Sequence, residues 1–112
     1  SLAKAAPEAQ IPVERIAGPI LLVSASDDGL WPSADMAERI QARLTTNDFA
    51  HPVESLVYGG AGHAVFGGPI TTVTPQMQSM FGFLGGTPDG LIAARADGWP
   101  KVVTFLKRSL TD

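Results

Sequence analysis

The chain has 112 residues, 45% of them hydrophobic and 17% charged, and contains no cysteine. Eight Lys plus Arg against eleven Asp plus Glu leave a net charge of −3 with no basic stretch, which argues against a nucleic-acid partner, since phosphate binding needs clustered cations. Without cysteine there is no disulfide framework, thiolate nucleophile or zinc-thiolate site, and a cytoplasmic location is the expectation.

Residues 1–10 (SLAKAAPEAQ) are small and polar and read as an N-terminal tail, without the charged-then-apolar order of a signal peptide. The folded portion is expected over 11–112. Pro12 and Pro19 hold their predecessors extended. ILLVSAS, residues 20–26, has four apolar β-formers in a row and no polar alternation, which predicts a parallel strand covered on both faces. The apolar run at 20–23 is far too short to cross a bilayer, so no membrane span is expected. DDGLWP follows as a loop. Pro32 and Ser33 suit a helix start, and Ala34, Ala37, Ile40 and Leu44 recur at helical spacing.

TTNDFAHP, residues 45–52, is turn chemistry, and VESLVY, residues 53–58, predicts a second strand that runs directly into GGAGH. Residues 64–90 are rich in Gly, Pro and Thr and allow at most a short helix around 76–83. A final helix carries an apolar stripe of Leu91, Ala94, Ala96, Trp99, Val102, Val103, Leu106 and Leu110. Pro100 interrupts it, which predicts a kink or a fresh start near Asp97. Lys107 and Arg108 suit that helix's C-terminus. Strands alternating with helices indicate an α/β layered sheet.

Asp28 falls just past the carboxyl end of the first strand and His63 just past that of the second, where open α/β sheets gather their active groups. If the strands are parallel neighbours, the two side chains meet. A carboxylate on one ring nitrogen then fixes the tautomer and leaves the other nitrogen free to accept a proton. Taken singly, an aspartate after a strand is more often a turn former or cap, and a histidine in a Gly-rich loop a surface residue. Asp27 competes with Asp28 on these grounds. His51 precedes a proline in a polar turn. Trp31 and Trp99 read as packing residues, although Trp31 is near enough to Asp28 to line a pocket. Two histidines in unrelated loops have no metal-ligand spacing, so no metal site is expected.

ILLVSASDDGLWPS, HPVESLVYGGAGH and GGTPDGLIAARADGWPKVVTFLKRSL together resemble the C-terminal catalytic region of the acyl-CoA thioesterase / bile acid-CoA:amino acid N-acyltransferase family, from about residue 11 to 110. The D-D-x-x-W-P-S and Y-x-x-x-G-H segments are shared with many α/β-hydrolases; the G-G-T-P helix start with its later W-P-K narrows the resemblance. It implies the C-terminal part of an α/β-hydrolase whose triad runs nucleophile, acid, histidine. The acid falls on Asp28 and the histidine on His63; the substrate class is an acyl-CoA or related thioester, with no cofactor. Ser24-Ala25-Ser26 departs from the glycine common before the acid in such loops.

No G-x-S-x-G or G-x-C-x-G elbow occurs in the 112 residues, and Ser24, Ser26 and Ser79 lack elbow context. The resemblance therefore places the nucleophile and oxyanion hole upstream. The chain alone is expected to be inactive, and its strand at 20–23 to pair with a second copy, another chain or its own N-terminal segment, because its upstream neighbour is missing. Two rival readings are another hydrolase of this fold, such as a dienelactone hydrolase or an oligopeptidase-like esterase, and a non-catalytic domain reusing the fold.

Overall fold

A computed structural model describes residues 6–111; of the tail expected over 1–10, residues 1–5 lie outside them. Strand β1 (Ile20–Ala25) begins directly after Pro19, and β2 (Val53–Tyr58) lies parallel to it, paired from Ile20 opposite Val53 to Ala25 opposite Tyr58. Parallel neighbours need a long crossover, supplied here by helix α1 (Ser33–Thr46). Ala37 and Leu44, two turns apart, are its buried residues. Burying Leu44 contributes roughly 1.5–3 kcal/mol. Asn47 ends α1: its side-chain amide and its backbone N–H both donate to the Arg43 carbonyl. Thr45 and Thr46, expected in the turn, thus complete the last helical turn instead. Asp48 then adopts φ 49°, a left-handed conformation aspartate tolerates, and turns the chain toward β2.

The long final helix, α4 (Pro88–Leu110), and α1 cover opposite faces of the sheet. Glu54 accepts from Arg108 at 2.5 Å and Tyr58 donates to Asp97 at 2.7 Å, so positions 54, 56 and 58 face α4. Val53, on the other face, lines a hollow with Leu44 and Phe49 at the end of α1. Helices on both faces of a parallel sheet make this an α/β arrangement. β1 is not covered along its whole length, as its composition predicts. Residues 20–23 are half-buried, and full burial is reached only at Ser24 and Ala25, where the core cluster of Ala25, Ala61, Val65 and Ala94 gathers. Among the described residues no third strand covers its other edge.

Two short helices, α2 (Pro75–Gln78) and α3 (Phe81–Leu84), replace the single one expected around 76–83. Thr74 caps α2 by accepting from the Met77 N–H at 3.2 Å. Helix α4 runs unbroken through Pro100, so no new helix starts near Asp97. Pro100 is exposed, and so is Ala96, whose carbonyl the proline leaves without a donor. The buried stripe of α4 is Leu91, Ala94, Gly98 and Val102, whereas Ala96, Leu106 and Leu110 are exposed. Gly98 belongs to the stripe because the Tyr58 ring packs on it: a Cβ there would lie 3.0 Å from the Tyr58 hydroxyl.

The segment before β1 is tied to α1 by Arg43. Its Nε and Nη2 donate to the two Glu14 carboxylate oxygens at 2.5 and 2.9 Å, and its Nη1 donates to Gln10 Oε1 at 2.9 Å. The Arg43 hydrogen bonds hold the Glu14 carboxyl down at about 2.

Candidate active site

Asp28 lies in the loop between β1 and α1, and that loop is closed at its base by Ser33. The Ser33 hydroxyl accepts from the Ala25 N–H at 3.1 Å and donates to the Ala25 carbonyl at 3.2 Å. Within the loop, Asp28 Oδ1 accepts from the backbone N–H groups of Leu30 (2.9 Å) and Trp31 (3.2 Å). These bonds orient the second oxygen, Oδ2, toward the imidazole Nδ1 of His63, 3.2 Å away. The Asp28 side chain is only 3% exposed, while that of His63 is 30% exposed. Asp27 is exposed and lies outside this contact.

Burial, the largest single influence on Asp28, pushes its carboxyl up. The Leu30 amide, the Ser33 hydroxyl, the Trp31 amide and His63 together outweigh it and hold the carboxyl below its usual value. The carboxylate is therefore charged at neutral pH and fit to accept a hydrogen bond from Nδ1–H. That tautomer leaves Nε2 as the acceptor, and among the described residues no hydrogen bond reaches Nε2. The Trp31 indole stands edge-on to the imidazole, with ring centroids 4.6 Å apart and planes at 89°, while remaining 53% exposed. Trp31 thus lies against His63, whereas Trp99 packs with Phe66 at 5.8 Å.

Three loops hold the pair by backbone contact. His63 opens a 3₁₀ turn (His63–Val65) after the glycines that follow β2. The segment at 84–86 wedges between this loop and the Asp28 loop: Gly29 N–H donates to the Leu84 carbonyl at 2.9 Å, and Thr87 N–H to the Gly60 carbonyl at 2.9 Å. Gly85 has φ +79°, and a Cβ on it would come 1.9 Å from the Asp27 carbonyl oxygen. A Cβ on Gly62 would come 2.1 Å from the Gly85 carbonyl oxygen. Thr87 then caps α4 by accepting from the Gly90 N–H at 3.0 Å, with Pro88 in the first turn. From α4, Arg95 reaches back to the His63 loop, donating from Nε to the Ala64 carbonyl at 3.0 Å and from Nη1 to the Gly68 carbonyl at 3.3 Å.

The structure brings Asp28 and His63 together and leaves the other candidates apart. His51 is exposed and meets the Phe49 ring edge-on, with centroids 5.3 Å apart. Ser24 is buried with no hydrogen-bond partner for its hydroxyl among the described residues, Ser26 donates to the Tyr58 carbonyl, and Ser79 to the Gln76 carbonyl. Among the described residues no group of three or more His, Asp or Glu is placed to hold a metal ion. No helix among them is long and apolar enough to cross a membrane. The pair can carry out proton transfer at Nε2, with Asp28 stabilising the charged ring. Nothing in the sequence singles out Arg95; Gly85 is marked only as the first residue of the G-G-T-P motif, the one sign that the stretch before α4 matters.

The family model described as "BAAT / Acyl-CoA thioester hydrolase C terminal" matches residues 1–112. Acyl-coenzyme A thioesterase 6 of Mus musculus is 31% identical over 104 residues, which cover 89% of this chain and 24% of the mouse protein. The chain thus spans about a quarter of the length of that curated relative.

Proposed function

The chain belongs to the BAAT / acyl-CoA thioester hydrolase C-terminal family, and from that premise we propose that it supplies the acid, Asp28, and the general base, His63, of an acyl-transfer triad acting on acyl-CoA thioesters. The observation that carries this reading is the 3.2 Å contact between a buried, charged carboxylate and a half-exposed imidazole. In the proposed reaction His63 Nε2 takes the proton of a nucleophile as that nucleophile attacks the thioester carbonyl. When the C–S bond breaks, His63 returns the proton to the leaving thiolate. Water, deprotonated by the same nitrogen, then attacks the acyl carbonyl; as the bond to the nucleophile breaks, His63 returns that proton to the nucleophile and the free acid leaves. Asp28 keeps the ring in the productive tautomer throughout.

The nucleophile and oxyanion donors lie outside this chain in this reading, and residues 11–112 form the C-terminal portion of an α/β-hydrolase domain. The reading is supported by the parallel β1–β2 pair with both residues at its carboxyl end, and by the short span against the mouse relative. A cytoplasmic setting fits a chain without cysteine. The free edge of β1 is the place where the chain pairs with another strand.

The test is substrate class. A longer protein that carries this region together with a nucleophile should release thiol from acyl-CoA, detected with a thiol reagent, faster than it opens lactones or cleaves peptides. The 112-residue chain alone should stay at background. Preferential turnover of a lactone or peptide overturns the thioester assignment.

A further inference from the structure

His63 stands on a 3₁₀ turn of three residues, and the chain from 66 to 68 has no helix or strand of its own. A base held on such a loop keeps its geometry only if something rigid holds the loop. The neighbouring hydrogen bonds point to Arg95. Its guanidinium fork donates to two carbonyls four residues apart, Ala64 at 3.0 Å directly after His63, and Gly68 at 3.3 Å. Both are charge-assisted bonds, stronger than neutral ones. Ala94, next to Arg95 on α4, packs in one cluster with Ala25 at the end of β1 and with Ala61 and Val65 on either side of His63. Helix α4, the strand leading to Asp28 and the turn bearing His63 therefore share one frame, with Arg95 as its polar tie.

Gly67 gives independent support. Its φ is +151°, and a Cβ there would lie 2.7 Å from Arg95 Nη1 and 2.8 Å from Cζ, so the guanidinium occupies the space a side chain would take. We propose that Arg95 is a positioning residue for His63, setting the imidazole on Asp28 by holding the carbonyls of Ala64 and Gly68. The proposal rests on the reading of Asp28 and His63 as a working pair. Lysine carries its donors on a single nitrogen without the planar fork, so it does not reproduce this two-point geometry.

Long-range ¹H–¹⁵N spectra of the full chain at neutral pH read which ring nitrogen of His63 carries the proton. The wild type should show it on Nδ1, facing Asp28. Arg95→Met should lose that single tautomer and give a mixture, and Arg95→Lys should lose it in part. Gly67→Ala should resemble Arg95→Met, and the double variant should be no worse than Arg95→Met, because both remove one contact. Lys101→Met, which breaks the ion pair with Asp97 on the same helix, controls for lost stability and should leave the tautomer unchanged. A wild-type tautomer retained in Arg95→Met overturns the proposal while sparing the pair. If Arg95→Met does not fold, an unchanged tautomer in both Arg95→Lys and Gly67→Ala overturns it equally. A wild type without the proton on Nδ1 removes the reading of the pair, and the proposal with it.

Discussion

Asp28 divides its carboxylate among three partners: Oδ2 lies 3.2 Å from His63 Nδ1, while Oδ1 accepts the Leu30 and Trp31 amides of its own loop. Only the charged state lets both oxygens accept, and the carboxyl titrates below its ordinary value. A depressed carboxyl contributes stability that is fully present above the unfolded value, about 3.9, and is lost as pH falls through the folded one. Asp28→Asn should therefore cost about 1–3 kcal/mol at neutral pH. The gap between the wild-type and variant urea curves should be open above about pH 5 and close below about pH 4. A gap that does not depend on pH would show that the charge contributes nothing.

Gly85 is the wedge between the two loops, and its left-handed φ and 1.9 Å clearance leave no room for a methyl group. Gly85→Ala should cost on the order of 3 kcal/mol, with strain and collision acting together. Gly82, inside α3, is the control, because a Cβ added there would meet nothing within 4 Å. Gly82→Ala should be neutral or stabilising by up to about 1 kcal/mol. Thermal denaturation of the two variants checks the contrast, and equal effects would mean that the loops are not locked.

Tyr58 is the only tyrosine of the chain, so its titration can be read directly from ultraviolet absorbance. Burial first, then the hydrogen bond to Asp97, raises its hydroxyl to about 12. A raised value means that the stabilisation is complete below the unfolded value near 10 and is lost as pH rises through about 12. Tyr58→Phe should cost about 1 kcal/mol at neutral pH. A titration midpoint near 10 in the folded protein would contradict the contact.

How far these features could be read from the sequence depends on how local their causes are. The apolar run of β1, the Pro32-Ser33 start of α1 and the strand-end placement of Asp28 and His63 are local signals, and the structure follows them. Gly98 in the buried stripe of α4 carries no hydropathy signal, because the Tyr58 ring across the sheet is what makes it necessary. Arg95 looks like an ordinary surface cation until the His63 loop folds over it. The continuity of α4 through Pro100 also depends on a tertiary fact, namely that the interrupted side of the helix faces water.

The free edge of β1 is narrower than four residues. Ile20 and Ser26 both donate their N–H toward the β2 side, to Pro52 and Tyr58, so alternation turns the Leu21 and Val23 amides outward. Ala25, also outward, is already taken by Ser33. Self-association through this edge should weaken in Leu21→Pro, which removes an outward donor and spares the bonds to β2. Light scattering of the two proteins at matched concentration checks this. A wild type that is monomeric throughout contradicts the pairing.

The central claim is that His63 is the base, and one comparison tests it most directly. In a longer protein carrying this region and a nucleophile, acyl-CoA turnover is measured for wild type, His63→Ala and His51→Ala. His63→Ala should lower kcat by at least ~10³-fold with thioester binding retained, since proton transfer and ring charge are both lost. His51→Ala, at an exposed position edge-on to Phe49, should turn over like wild type. Wild-type kcat in His63→Ala, or equal losses in the two variants, would contradict the account.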